Sequence, residues 1–423
     1  MSPKTVAIVG AGGRGTTFSN IIAEYGNLGK VTAVAEPRDE YRNHIARMFN
    51  VPSDMCFKTW QDFIAKPKLC DAAVIATMDQ DHTVPAVACL DMGYDLLLEK
   101  PMAPTLGECV QIEQAQRRSG AIVGVCHSLR YHNEFRRVKD MVASGAVGRL
   151  ITVDMVEGVS WWHQAHSFVR GNWGNEGRSV FMLLAKCCHD IDYLCFLTNQ
   201  RALKVSSFGN LSHFRPEDAP QGSTDRCIDG CPHEPTCKYS AIKRYVQCDR
   251  ENWPAKVVSH DHSMDAHLEA IRTGPYGRCV WKCDNDVVDH QVVNMQCDND
   301  VTVTFTMTAF TQENARRIRV HGTEGEINYV PGCITLRTFA DGGVSDIRLG
   351  AESGEHGGGD RRIVREWLSA LHTRDDSRIV ANAQESLRSH SVVFAAEAAR
   401  RLNKVVDIEE FVNAGGEMPK SGN

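Results

Sequence analysis

The sequence predicts an α/β fold in two parts: a doubly wound parallel sheet over residues 1–127, then an α/β domain with an open, mainly antiparallel sheet over 128–423. Three observations carry this expectation. Apolar strand-like runs alternate with helical patterns through the first part, which is how a parallel sheet covered on both faces is written. The first of those runs breaks into Gly10-x-Gly12-x-x-Gly15 just ahead of a helical pattern. From Asp286 onward, by contrast, strand-like stretches follow one another across short turns at Gly322 and Gly325, as in a meander.

In order, Thr5 to Val9 is the first strand, and Phe18, Ile21, Ile22 and Tyr25 have helical spacing that ends near Gly26. Lys30 to Glu36 is a strand ending in a carboxylate, and a helix from Asp39 to Asn50 follows. Trp60, Phe63 and Ile64 fall on a short helix. Asp71 to Thr77 is apolar enough for a buried parallel strand. A helix from Asp81 to Met92, a strand from Tyr94 to Glu99, a helix from Leu106 to Ser119 and a strand from Ala121 to Cys126 complete the first part.

In such a sheet the ligand lies beyond the carboxyl ends of the strands, so those ends are where chemistry is expected. The glycine-rich turn, with Gly10, Gly12, Gly13, Arg14 and Gly15, suits a tight turn, a close approach to a pyrophosphate and a helix N-terminus that favours phosphate. A nicotinamide dinucleotide is the expected ligand. Glu36 stands where a ribose-gripping acid belongs, which favours NAD over NADP, while Arg38 next to it leaves NADP open. Thr77, with His82, and Glu99-Lys100-Pro101 follow the next strand ends. Lys100 can orient or protonate a substrate oxygen, whereas His82 reads equally as a helix-cap or buried histidine.

Net charge of −6 gives no support to nucleic-acid or anionic-membrane binding, and no apolar run approaches the ~20 residues of a membrane span. With a strand starting at Lys4 or Thr5, the expectation is a cytoplasmic protein without a leader. Sixteen cysteines are many. Cys70, Cys89, Cys109 and Cys126 fall singly in apolar patterns, where Cys packs as a small hydrophobe, and no disulfide framework is expected.

The glycine-rich first turn, Thr77, and above all Glu99-Lys100-Pro101 resemble the glucose-fructose oxidoreductase and inositol dehydrogenase family, Gfo/Idh/MocA. The resemblance implies a Rossmann domain followed by an α/β domain whose open sheet faces the nicotinamide. It also implies NAD(P)-dependent oxidation or reduction of a sugar or polyol carbon.

In the second part a helix from Arg130 to Ala143 and a strand from Arg149 to Glu157 lead into Trp161-Trp162-His163-Gln164-Ala165-His166-Ser167-Phe168-Val169-Arg170-Gly171-Asn172-Trp173. Rings against C–H faces and polar groups on hydroxyls are what a carbohydrate needs, so Trp162, His163, His166, Arg170 and Asn172 are candidate substrate contacts. A packed loop with its indoles in the core is the alternative. Met182 to Leu194 has helical periodicity and resembles the family's second signature, in which an aspartate four residues before a histidine completes a Lys-Asp-His set. Here His189 matches the histidine, but Ala185 stands in the aspartate's place. Beside Lys100, then, His189, with a reference pKa of about 6.5, is the candidate base. Lys186 either lines the site or is a helix-surface charge.

After a strand from Leu203 to Phe208 comes an insertion, about 210–253, containing Cys227-x3-Cys231-x5-Cys237, with Cys248, Cys279 and Cys283 beyond. Three close cysteines suggest a structural zinc clip, but the spacing is not a CxxC pair, and free thiols in a packed loop remain the other reading. No catalytic metal is expected. Gly357-Gly358-Gly359-Asp360 precedes two amphipathic helices, Arg361 to Leu371 and Ala383 to Leu402, expected on the outer face of the second sheet, and the tail after Val412 is expected to fray.

The expected activity is hydride transfer between nicotinamide and a secondary alcohol or ketone carbon of a sugar, sugar derivative or polyol, by a homo-oligomer assembled through the second sheet. Two alternatives stand beside it: a glycosidase that keeps its NAD bound and cleaves through transient oxidation, and a dinucleotide-sensing module without catalysis, against which Lys100 and His189 together argue.

Overall fold

Residues 2–350 and 355–419 are described in the computed structural model. The first sheet is built from β1 (Lys4–Val9), β2 (Gly29–Ala35), β3 (Cys56–Phe57), β4 (Ala72–Ile75), β5 (Asp95–Leu98) and β6 (Val123–Val125). All pairings are parallel and the order is β3-β2-β1-β4-β5-β6. The order reverses between β1 and β4, and that reversal opens the crevice at their carboxyl ends. β4 and β5 are buried along their whole length, as strands covered on both faces must be.

The second sheet contains β7 (Leu150–Gly158), β8 (Ala202–Asn210), β9 (His290–Cys297), β10 (Thr302–Thr308), β11 (Ala315–Gly322), β12 (Gly325–Val330), β13 (Cys333–Thr338), β14 (Val344–Arg348) and β15 (Val406–Asp407). Its order is β14-β13-β12-β11-β7-β10-β9-β8-β15, antiparallel throughout except for the central β7 and β10 pair. Along β10 Val303, Phe305 and Met307 are buried while the threonines between them reach solvent, the alternation of a sheet with one covered face. The helix Ala383–Leu402 lies on that covered face, its Val392, Val393 and Ala396 joining Val293 and Phe305 in one core.

Three expectations need correction. The helix Gly359–Thr373 does not cover the second sheet: Ile363, Val364, Trp367 and Leu368 pack into the core of the first, against Val6, Ile8 and Val74. Its apolar stripe fits either sheet, and only the chain's return path decides between them. The helical pattern from Met182 is two helices, Met182–Ala185 and Cys188–Thr198, broken at Lys186 and Cys187. The insertion is longer than its composition suggests, occupying the whole chain between β8 and β9 with small cores of its own around Tyr239 and Tyr245. Of the tail, residues 420–423 lie outside the described residues; before them Met418 packs against the main core.

Candidate functional site

The glycine-rich turn is fixed by contact. Gly10 has φ of +91°, and a Cβ there would stand 2.4 Å from the Ala76 carbonyl oxygen; a Cβ on Gly15 would stand 1.9 Å from the Gly10 carbonyl oxygen. Gly13 is different: nothing lies within 4 Å of where its Cβ would be. The helix Gly13–Glu24 begins there with no side-chain cap, so open space meets free N–H groups at a helix N-terminus, the cradle a pyrophosphate needs.

Glu36, 3% exposed at the end of β2, accepts hydrogen bonds from the Ala11 N–H at 2.9 Å, the Arg38 N–H at 3.1 Å, and Arg38 Nε at 2.6 Å. Burial opposes its charge, but the bonds from Arg38 and Ala11 outweigh burial and hold the carboxyl below the usual range. The Arg38 guanidinium in turn lies 3.7 Å over the Tyr41 ring. Arg14 turns back into the fold, where Nε meets Glu99 at 2.6 Å and Nη1 meets Asp360 at 2.9 Å. It positions the strand end of β5, a part the sequence did not assign to it. Thr77 Oγ1 donates to the Asp81 carbonyl at 2.9 Å, and His82 Nδ1 is 2.7 Å from the Pro101 carbonyl, so His82 braces the Lys100-Pro101 turn.

Lys100 leaves β5 towards the second domain. Its Nζ donates to the Ala185 carbonyl at 2.6 Å. Ala185, standing where the resemblance implies an aspartate, therefore serves Lys100 with its backbone. The helix break at Lys186 and Cys187 sets this up, because the last carbonyls of Met182–Ala185 have no further N–H in that helix to accept from. His189, in the first turn of the next helix, is 4% exposed, and its ring lies 5.9 Å from that of His127 at the end of β6. His127 meets His390 edge-on at 5.4 Å. Burial lowers the pKa of His127 to about 3 and of His390 to about 4, so both stay neutral beside Lys100.

Behind this point lies a charge network that the sequence did not reveal. Lys186 Nζ is 3.0 Å from Glu157, and Arg316 on β11 bridges Glu157 at 3.1 Å and Asp190 at 2.6 Å. Glu157 is fully buried at the end of β7. Lys186 is thus an inward charge and not a surface one.

The aromatic stretch divides. Residues 161–163 form a helical turn and 164–170 a π-helical one, so successive side chains point to different sides. Half-buried His163 neighbours Lys186, Arg316 and Lys100, and burial followed by those cations pushes its pKa well below the usual value. Trp162 stacks beside it. His166 instead stacks on Tyr276 of the insertion at 4.8 Å, accepting from or donating to Tyr245 Oη at 3.0 Å, with its pKa lowered by burial to about 3. Arg170 is 2% exposed and donates to the carbonyls of Arg278 and Tyr239 at 2.7 and 2.8 Å. Asn172 is exposed, on the rim of an open cleft it shares with Arg226 and Pro275. His166 and Arg170 therefore hold the insertion, contrary to their expected place in the substrate pocket: a π-helical turn cannot aim every polar residue the same way.

Trp253 of the insertion packs edge-on against Trp162, His163 and His166, with ring centroids 4.9–5.4 Å apart. Seven residues on, His260 packs at 4.1 Å against Tyr41, beside Arg38. One segment thus touches both ends of the crevice. Asp79, after β4, joins the domains by accepting from Trp173 Nε1 and Ser179 Oγ, both at 2.8 Å. A spacing rule has no access to these contacts, which depend on tertiary placement.

Among the described residues no three His, Cys, Asp or Glu side chains are gathered as a metal site. No helix there is long and apolar enough to cross a membrane.

Comparison with known proteins bears on the fold and on the cofactor. Residues 4–127 match the model of the GFO/IDH/MocA oxidoreductase family with its NAD-binding Rossmann fold, and residues 135–230 match the GFO/IDH/MocA C-terminal domain. The chain is 22% identical over 347 residues to the putative oxidoreductase YteT of Bacillus subtilis, covering 78% of each chain. It is 26% identical over 201 residues to inositol 2-dehydrogenase of Corynebacterium glutamicum strain R, covering 47% of this chain and 56% of that one. Levoglucosan dehydrogenase, solved with NADH and L-sorbose, has the same fold, with a TM-score of 0.71 at 16% identity over 96% of this chain and 99% of that one. With both domains matched in sequence order and the phosphate cradle open, this chain belongs to the GFO/IDH/MocA family of NAD-binding oxidoreductases.

Proposed function

We propose that the protein is an NAD-dependent dehydrogenase of a sugar, sugar derivative or polyol, with Lys100 and His189 managing the proton on the reacting oxygen. The observation that carries the reading is the meeting of Lys100 Nζ with the Ala185 carbonyl at 2.6 Å, which brings a cation from β5 beside the helix that bears His189. Bound NAD supplies a hydride acceptor or donor at C4 of its nicotinamide. An ammonium has three donors, so with one spent on Ala185 Lys100 keeps two for a substrate oxygen. His189 takes the hydroxyl proton as hydride leaves, or returns it in reduction. His163, with Trp162 stacked on it and Lys186 and Lys100 near it, supplies a mixture of rings and donors that suits a polyhydroxylated ligand. The relatives named for inositol and levoglucosan, and the neighbour that holds L-sorbose, support that class.

Glu36 supports NAD over NADP, because an ionised, backbone-anchored carboxylate accepts from a free ribose hydroxyl and repels a phosphate. The test is a panel of sugars and polyols with NAD, followed at once by NADH absorbance and by product analysis. NADH formed in step with an oxidised product is the expected result. A cleaved glycoside without accumulating NADH would establish the redox-neutral glycosidase in its place.

A further inference from the structure

The insertion's cysteines differ in their hydrogen bonds. Cys248 and Cys283 donate, to the carbonyls of Arg244 at 3.1 Å and Cys279 at 3.3 Å, as ordinary thiols do. Cys227 accepts: the Ala241 N–H donates to its Sγ at 3.4 Å, and Arg170 Nη2 points at the same sulfur at 3.6 Å.

Cys227, Cys231, Cys237 and Cys279 line one cavity of about 20 Å³, room for a single atom or ion. Two of them are held close by an antiparallel bridge between Arg226 and Arg278, in which the Cys227 N–H donates to Gly277 and the Cys279 N–H to Asp225 at 3.0 and 2.8 Å.

A second observation points to the same place. Arg170 lines that cavity, is 2% exposed, and among the described residues has no carboxylate within ion-pair distance; its neighbours are two carbonyls, Tyr245 and the Cys227 sulfur at 3.6 Å. A buried guanidinium without a counter-charge is costly. Four thiolates around a divalent ion carry a net charge of −2, which supplies it.

We propose that Cys227, Cys231, Cys237 and Cys279 bind one structural zinc(II) ion as a tetrahedral four-thiolate site, with Arg170 as its outer counter-cation. Protons leave the thiols as the ion enters, and no electron is transferred. The side chains are not yet gathered at bonding distance of one point. A zinc to sulfur bond of about 2.3 Å requires the sulfurs to swing inward, and thiols that repel or merely touch stand further apart until an ion draws them together. The site ties residues 227–237 to 279, and so fixes the base of the segment that carries Trp253 and His260.

The test uses the full chain purified without chelator from zinc-supplemented cells. About one zinc per chain is expected, with a first shell of four sulfurs at about 2.3 Å by X-ray absorption and, after exchange, an intense thiolate-to-cobalt(II) band. Cys248→Ser and Cys283→Ser should keep the full equivalent, whereas Cys231→Ser and Cys279→Ser should lose most of it. Less than a tenth of an equivalent in the unaltered chain overturns the proposal, as do full zinc retention in Cys231→Ser or Cys279→Ser and a nitrogen- or oxygen-dominated first shell. If the cysteine variants fail to fold, the absorption and cobalt measurements on the unaltered chain decide alone.

Discussion

At the ends of β2 and β5, Glu36, Glu99 and Lys100 each bond a backbone group, with Arg38 and Arg14 pairing the two carboxylates, whereas the polar residues of 161–172 are shared out between the crevice and the insertion. A parallel strand delivers its last residues to one edge of the sheet, so position in the chain nearly decides position in the site. A helical or π-helical turn spreads adjacent residues round its axis, and the packing partner decides which of them face the ligand. Strand-end residues should therefore act on chemistry when altered, and those of the turn on chemistry or on stability according to side.

The largest effect is expected at the strand end. Lys100→Ala, and His189→Ala opposite it, should each lower turnover by about 10²–10⁴-fold while NAD affinity stays within a few-fold. Single-turnover kinetics with deuterated substrate would check that the chemical step is the one slowed. Near-normal turnover in His189→Ala would move the base to His163 or Lys186.

Acid comes next, and it samples both regions together. His127, His166 and His390 are neutral in the fold, with burial holding their pKa values near 3, 3 and 4, whereas in the unfolded chain they take up protons at about 6.5. The unfolded state then binds more protons between about pH 4 and 6.5. Stability should fall as pH drops through that window, by up to about 4 kcal/mol per pH unit for the three together. Denaturant titrations at pH 7.5 and 5.5 measure it, and His166→Gln and His127→Gln should each remove about a third of the slope. A flat profile would mean that these rings take up protons in the fold as readily as in the unfolded chain.

Within the turn, Arg170→Met should lower unfolding free energy by about 3 kcal/mol, because two buried carbonyls lose a charged donor, yet leave KM close to normal. His163→Ala should do the reverse. A raised KM with unchanged stability for Arg170→Met would return that residue to the substrate wall. The smallest effect is at the ribose end, where Glu36→Ala should weaken NADH binding by about tenfold, the value of one good charged hydrogen bond, and narrow the preference over NADPH. Tighter binding of NADPH than NADH by the unaltered protein would reverse the assignment of Glu36.

The same difference explains what could be read from the chain. Gly10 and Gly15 were legible because a Cβ at either would collide with backbone, so the local requirement shows in the residue itself. The helix Leu106–Ser119 was legible to the residue because Thr105 caps it and Gly120 ends it in the left-handed region. Nothing local marks the two-residue strands β3 and β15, which exist only because a neighbouring strand offers them hydrogen bonds. Trp253 and His260 were invisible as site residues for the same reason. They stand in a polar, charged loop and reach the crevice only through the fold of the insertion.

The bond from Lys100 to the Ala185 carbonyl bears on how this position can vary. A main-chain oxygen cannot be deleted by exchanging a side chain, so any small residue that keeps the helix ending at 185 keeps the acceptor. A scan of substitutions there would look tolerant, and tolerance would be mistaken for irrelevance. Only a change to the backbone itself exposes the contribution, such as replacing the amide that follows Ala185 with an ester. That swap weakens the carbonyl as an acceptor and should slow turnover without altering a single side chain.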